Sequence, residues 1–338
     1  MSDPMVKEPA MAETALPTAR PGKLSRTWIS QESILLVILL VIVLVLSRLS
    51  DRFLTAGNLL NLTRFFAEIG LMALPMTLII ISAGIDLSVG SIFGWSAVML
   101  GFAWQVWGFP LPVAIVICLV TGVVAGLLNG WLVAHIKVPP LIATLATLAI
   151  YRGMALGISQ ARPISGYPDW FEFFGQGSIG PLPTQFVVLI LFTVVVAIFL
   201  ARTPWGRYIY AIGHNAEASL FSGIPVARML MAIYTFSGFM ASLAAFIFVS
   251  RVTTTRADAG TGLELDVIAA VVLGGTSIYG GQGSILGTIL GLVIIALLRN
   301  GLSLAGVRGD ATVVVIGATL ILAVFLNRVL RGEKGDAR

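Results

Sequence analysis

Few residues of this chain can carry charge chemistry, and the most demanding of them is Asp86, set in Ala83-Gly-Ile-Asp-Leu-Ser-Val-Gly-Ser91 amid apolar sequence. An ionisable side chain inside a bilayer is costly and faces a cavity or a partner. With glycines on both sides, Asp86 and Ser88 are expected at a helix break, where the carboxylate accepts hydrogen bonds from backbone amides opening the next helix. Direct contact with a translocated solute is the sharper alternative. Asn129 and Asn300 read as interhelical hydrogen-bond partners or as lining of a pathway. Glu68, Glu264 and Asp266 are expected near span ends, in water.

Catalytic patterns are missing from the sequence. Gly22-Lys23 is followed by Leu24 and lacks the spaced glycine of a phosphate-binding loop. Gly281-Gln-Gly283-Ser-Ile-Leu-Gly287 is off by one from a dinucleotide fingerprint and opens an apolar helix with no strand before it. His135 and His214 stand in different loops without nearby cysteines or paired carboxylates, which argues against a metal or hydrolytic site. The single Cys118 lies in an apolar run and excludes a disulfide framework. No catalytic residue, metal or cofactor is therefore expected, and the chain does not read as an enzyme.

The elements that must position these residues are membrane helices. Of the 338 residues, 57% are hydrophobic and only 11% charged, against roughly 45–50% and 25% in soluble domains. The formal charge of +5 suits basic flanks on the cytoplasmic side of a membrane rather than nucleic-acid binding. Runs of about 20 apolar residues span the hydrocarbon core. They predict an all-α polytopic membrane protein of about ten transmembrane helices, near residues 33–49, 67–84, 87–104, 111–134, 138–158, 184–201, 229–250, 265–280, 284–305 and 311–327. The third and eighth are interrupted by glycines and are expected to be broken or re-entrant. The predicted layout is a tail over 1–31, a transmembrane domain over 32–328 with a polar loop over 202–228, and a tail over 329–338. Lys7, Arg20, Lys23 and Arg26 before the first span, and Arg328, Arg331, Lys334 and Arg338 after the last, place both termini and the loop with Arg202, Arg207 and Arg228 in the cytoplasm.

Small residues four apart allow close helix approach in lipid. Gly122, Gly126 and Gly130 in the fourth span, and Gly283, Gly287 and Gly291 in the ninth, are read as packing contacts. Gly90-Ser-Ile-Phe-Gly94 echoes Gly283-Ser-Ile-Leu-Gly287, either as a trace of an internal parallel repeat or as ordinary recurrence of glycine in membrane sequence.

Within the 202–228 loop, Asn215 is a good N-cap, Glu217 complements the helix dipole, Gly223 ends the helix and Pro225 prevents continuation. A short helix from Ala216 to about Ser222 follows, roughly 10 Å long. It is too short to span and too apolar at Leu220 and Phe221 to stand in water. It lies in the lipid headgroups, where Trp205 and Tyr208 would also sit, or it docks on a cytoplasmic partner.

After residue 50 the sequence resembles the membrane permeases of bacterial ABC importers of the ribose, xylose and arabinose type. The motifs that carry the resemblance are Asn58-Leu-Leu-Asn61, the Ala83–Ser91 segment, Val138-Pro-Pro-Leu-Ile-Ala-Thr-Leu145, Gly206-Arg-Tyr-Ile-Tyr-Ala-Ile-Gly-His-Asn215, and Leu273-Gly-Gly-Thr-Ser-Ile-Tyr-Gly-Gly-Gln-Gly-Ser284 with Asn300-Gly-Leu. Ala83 and His214 replace residues that are usually glycine there, and Leu141 one that is commonly phenylalanine. These departures bear on substrate rather than family. The resemblance implies a multi-pass permease of the bacterial inner membrane that forms the pathway for a monosaccharide or sugar-like solute, such as ribose, xylose or rhamnose. It pairs with a second, identical or similar permease, receives solute from an extracytoplasmic binding protein and is driven by cytoplasmic ATP-binding subunits. It also implies that Gly206, Arg207, Gly213, Asn215, Glu217 and Gly223 belong to the element that couples to the ATPase. A proton-coupled secondary transporter using Asp86, or a passive channel, is the alternative.

Overall fold

A computed structural model describes residues 31–308, 311, 314–318 and 321. The chain is an all-α, polytopic membrane protein, and eight helices among the described residues are long and apolar enough to cross a bilayer. They are α1 (Gln31–Leu49), α2 (Ala56–Ile81), α3 (Val89–Gly101, prolonged by a π-helical turn over Phe102–Val106), α4 (Leu111–Ala134), α5 (Pro140–Ser159), α7 (Thr184–Arg202), α10 (Val226–Val252) and α12 (Ile285–Leu304). Shorter helices lie between them: α6 (Asp169–Gln176), α8 (Pro204–His214), α9 (Ala216–Phe221) and α11 (Leu263–Leu273). Two antiparallel pairings, Ile164–Ser165 with Thr254–Thr255 and Ser178–Ile179 with Leu182–Pro183, tie loops at the end remote from α9.

Local chemistry sets these boundaries. Thr55, Thr203, Asn215 and Ser284 accept backbone amides as N-caps of α2, α8, α9 and α12. Prolines occupy the first turns of α4, α5 and α8, where a missing N–H costs nothing. The core gathers around α2, α3 and α10, whereas α4, α5 and α7 bury one face and leave Val116, Val120, Leu145, Leu191 and Val195 outward. In a membrane those outward faces meet lipid tails, as apolar as the side chains themselves.

The glycine ladders lie at helix crossings. A Cβ on Gly122 would overlap the Gly238 carbonyl of α10, one on Gly126 would overlap that of Tyr234, and one on Gly130 would stand 2.9 Å from Met231 Cα. Across α11 and α12, a Cβ on Gly287 would overlap the Gly274 carbonyl and one on Gly291 that of Ala270. Gly283 precedes α12 at φ 159° beside Thr276 and Ile81.

The expected segment 265–280 is helical only to Leu273 and then turns through Gly274–Ser284. At 1.5 Å per residue α11 reaches about 16 Å, half of the roughly 30 Å core, which makes it a half-crossing. The expected span 311–327 falls largely outside the described residues, where 311, 314–318 and 321 are helical. The predicted tail 1–31, apart from Gln31, and the tail 329–338 also fall outside. Two helices have no counterpart in the sequence reading, α6 and α8.

Candidate functional site

Asp86 sits in the break between α2 and α3, fully buried. Ser82 closes α2 and Ala83 turns left-handed at φ 62°. The chain then folds back so that the Asp86 carboxylate accepts from the Ser88 amide (2.9 Å), the Ser88 hydroxyl (2.6 Å) and, across from α10, the Ser237 hydroxyl (3.1 Å). Asn129 of α4 donates to Ser88 Oγ at 2.7 Å, and Tyr151 of α5 donates to Asn129 Oδ1 at 3.3 Å and to the Ala125 carbonyl at 3.0 Å. One buried polar chain thus joins the break to α4, α5 and α10. Asp86, Ser88 and Asn129 come together as residues of one cluster. Ser237 and Tyr151 complete it, and the sequence reading missed both.

Asn300 is elsewhere. Its amide exchanges hydrogen bonds of 2.9 and 3.0 Å with Asn58, joining α12 to the start of α2. Glu68 is not at a wet span end: it lies within α2, 5% exposed, and takes a bidentate hydrogen bond from Arg251 Nε (2.8 Å) and Nη2 (3.1 Å). The guanidinium stacks between Phe65 and Phe248, 4.9 and 5.3 Å from their ring centres. Asp266 pairs with Arg299 at 2.9 Å, half-buried. Glu264, also half-buried, accepts from the Gly262 amide at 3.3 Å. Arg152 of α5 donates to the carbonyls of Ala257, Ala259 and Gly90, holding the α10–α11 connection against the first turn of α3.

The third assembly is at the end of the molecule where α2 finishes. Thr203 caps α8 by accepting the Gly206 amide at 3.1 Å, and a Cβ on Gly206 would overlap the Leu200 carbonyl. Arg207 points into the surroundings, exposed. Gly213 meets the Ile81 carbonyl so closely that a Cβ would overlap it, and the same carbonyl accepts the Gly281 amide at 2.8 Å. The break before α3, the end of α8 and the turn before α12 therefore meet at one point. Asn215 Oδ1 accepts the Ala218 amide at 2.8 Å, Glu217 stands in the first turn of α9, and Gly223 follows at φ 82°. Leu220 and Phe221 project outward, 60% and 84% exposed.

Among the described residues no group of three His, Cys, Asp or Glu side chains could hold a metal. The described residues form a membrane bundle with a buried polar cluster at a helix break and an exposed apolar pair, Leu220 and Phe221, at one end. The family model described as branched-chain amino acid transport system / permease component matches residues 58–324. The chain belongs to this permease family. The permease is 41% identical over 259 residues to the ribose import permease protein RbsC of Bacillus subtilis (strain 168), covering 76% of this chain and 80% of that protein. It is 36% identical over 270 residues to the autoinducer 2 import system permease protein LsrD of Escherichia coli (strain K12), covering 78% and 82%. No solved structure matches it. Family and apolar helices together make this permease a multi-pass inner-membrane transport component of an ABC importer, not an enzyme.

Proposed function

We propose that the permease forms the translocation pathway of an ATP-driven importer for a monosaccharide or sugar-like solute. Its partners are a second permease, an extracytoplasmic binding protein and cytoplasmic ATP-binding subunits. The observation that carries the reading is α9, a capped helix with Leu220 and Phe221 outward, joined through α8 and Gly213 to the Asp86 break. An apolar knob of this kind, fixed to the start of a membrane helix, suits a lever set in a cleft of a partner. α9 and both termini then lie in the cytoplasm. The solute class follows the ribose import of RbsC and the autoinducer 2 import of LsrD. Asp86, fully buried and held by three hydrogen-bond donors from two elements, suits a group that fixes the break better than a carrier that exchanges protons with water.

The test is solute-stimulated ATP hydrolysis in liposomes holding the permease with its ATP-binding and solute-binding partners. Phe221→Ala and Glu217→Ala should each reduce stimulation while leaving the permease folded. Stimulation independent of Glu217 and of the Ala216–Phe221 helix would sink the coupling role. Uptake that collapses with a proton gradient and needs no ATP-binding subunit would favour the secondary transporter.

A further inference from the structure

A groove of about 550 Å³ opens on the side of the bundle between α7 and α10, at the end where α8 begins. Its walls are Val195 and Phe199 of α7 and Met229, Ile233 and Phe236 of α10. Trp205 and Arg228, in the first turns of α8 and α10, complete the lining of this almost wholly apolar groove. The run from Arg228 to Phe236 rises about 12 Å, close to the depth of one leaflet, about half of a 30 Å hydrocarbon core. An apolar slot of one-leaflet depth, with a cation at its interfacial end, has the shape of an acyl chain below a headgroup.

Charge decides the headgroup. Arg228 is exposed, as are Arg202 in the last turn of α7 and Arg207 in the first turns of α8, and none of the three has an ion pair among the described residues. Arg228 lines the groove without an ion pair among the described residues, and Trp205 stacks edge-on with Tyr208 at 5.9 Å in the manner of an interfacial aromatic pair. Basic pockets between helices at this level bind anionic lipid headgroups. A sugar in the groove would leave its hydroxyls facing apolar walls, a cost of several kcal/mol.

We infer that this groove is a binding site for an anionic phospholipid, with the acyl chain between Phe199 and Phe236 and the phosphate on Arg228. Trp205 and Arg228 stand near the two ends of the 202–228 segment, so one bound lipid braces both ends of the segment that carries α9. The site stands independently of the importer reading.

The experiment uses the full chain in vesicles containing phosphatidylglycerol or phosphatidylcholine brominated on the acyl chain, with tryptophan quenching as readout. Seven tryptophans are present, so the Trp205 share is taken as the difference from Trp205→Phe. The expected result is quenching of that share at about fivefold lower mole fraction of the anionic lipid for each arginine engaged. Arg228→Gln should remove that preference, and Ala232→Phe, which fills the groove, should reduce quenching by both lipids. Equal quenching by the two lipids in the parent, or an unchanged preference in Arg228→Gln, would mean an ordinary lipid annulus. No Trp205 quenching by either would mean that protein, such as a second copy, covers the groove. Each of these overturns the inference.

Discussion

Among the described residues, Glu68 and Arg251 stake more on each other than any other ion pair, because Glu68 is 5% exposed and Arg251 is its partner. Removing one member of a buried pair leaves the other uncompensated, at about 3–5 kcal/mol. Arg251→Ala should therefore lower the thermal midpoint in detergent sharply, whereas the double change Glu68→Gln with Arg251→Gln should recover most of the loss. Ala83 carries a smaller strain. Its φ of 62° costs an L-residue about 1–2 kcal/mol, partly offset by the 0.5–1 kcal/mol that glycine loses in backbone entropy. Ala83→Gly should thus raise the midpoint by a few degrees at most, and a fall would show that the methyl packing beside Gly280 outweighs the strain. The family resemblance marked Ala83 as a departure, and the backbone gives the reason that glycine suits this place. Asp86 was legible because an acid in apolar sequence needs an explanation. Ser237 was not, since serine is common in membrane helices, and Arg251 at the end of a span reads as solvated.

At the scale of elements, apolar length and caps did most of the work. α9 starts after Asn215 and ends before Gly223, where its cap, its acidic first turn and its stop signal put it. α8 was hidden because Thr203-Pro204 reads as a breaker between spans, although a cap followed by a first-turn proline is equally a helix start. The eighth span was drawn to residue 280, but the glycines that marked it as broken or re-entrant are where its helix stops, at Leu273, with Gly275 left-handed at φ 87°. Glycine substitutions separate packing from placement. Gly126 faces Tyr234 and Gly238 across the α4–α10 contact, so Gly126→Leu should force the two helices apart and cost about 1–3 kcal/mol or more. Gly153 of α5 has nothing within 4 Å of an added Cβ. Gly153→Ala should be neutral or stabilising by about 0.5–1 kcal/mol. Thermal unfolding of the two variants side by side checks the contrast, and equal destabilisation would contradict it.

For the molecule as a whole, the order of spans follows from apolar length, but the meeting of Ile81, Gly213 and Gly281 does not, because it joins backbone groups from three distant stretches. The sequence carried a hint in Gly90–Gly94 and Gly283–Gly287, which open α3 and α12 after glycine-rich breaks. Ile81 precedes the first break and Gly281 lies in the second, and both meet α8 at Gly213. Under the proposed role of α9, movement there reaches both breaks through this contact, and the polar chain from Asp86 carries the first onward to α4, α5 and α10. Gly213→Ala should then uncouple rather than detach: the ATP-binding subunit still co-purifies, basal hydrolysis persists, and stimulation by loaded binding protein falls by about tenfold, a loss of about 1.4 kcal/mol in coupling free energy. Phe221→Ala should instead weaken co-purification itself, since it removes the knob and leaves the junction intact. If the two variants lose co-purification equally, Gly213 supports α9 only as scaffold. If Gly213→Ala retains full stimulation, coupling runs by another route, through the contact of α8 with α7 or α10.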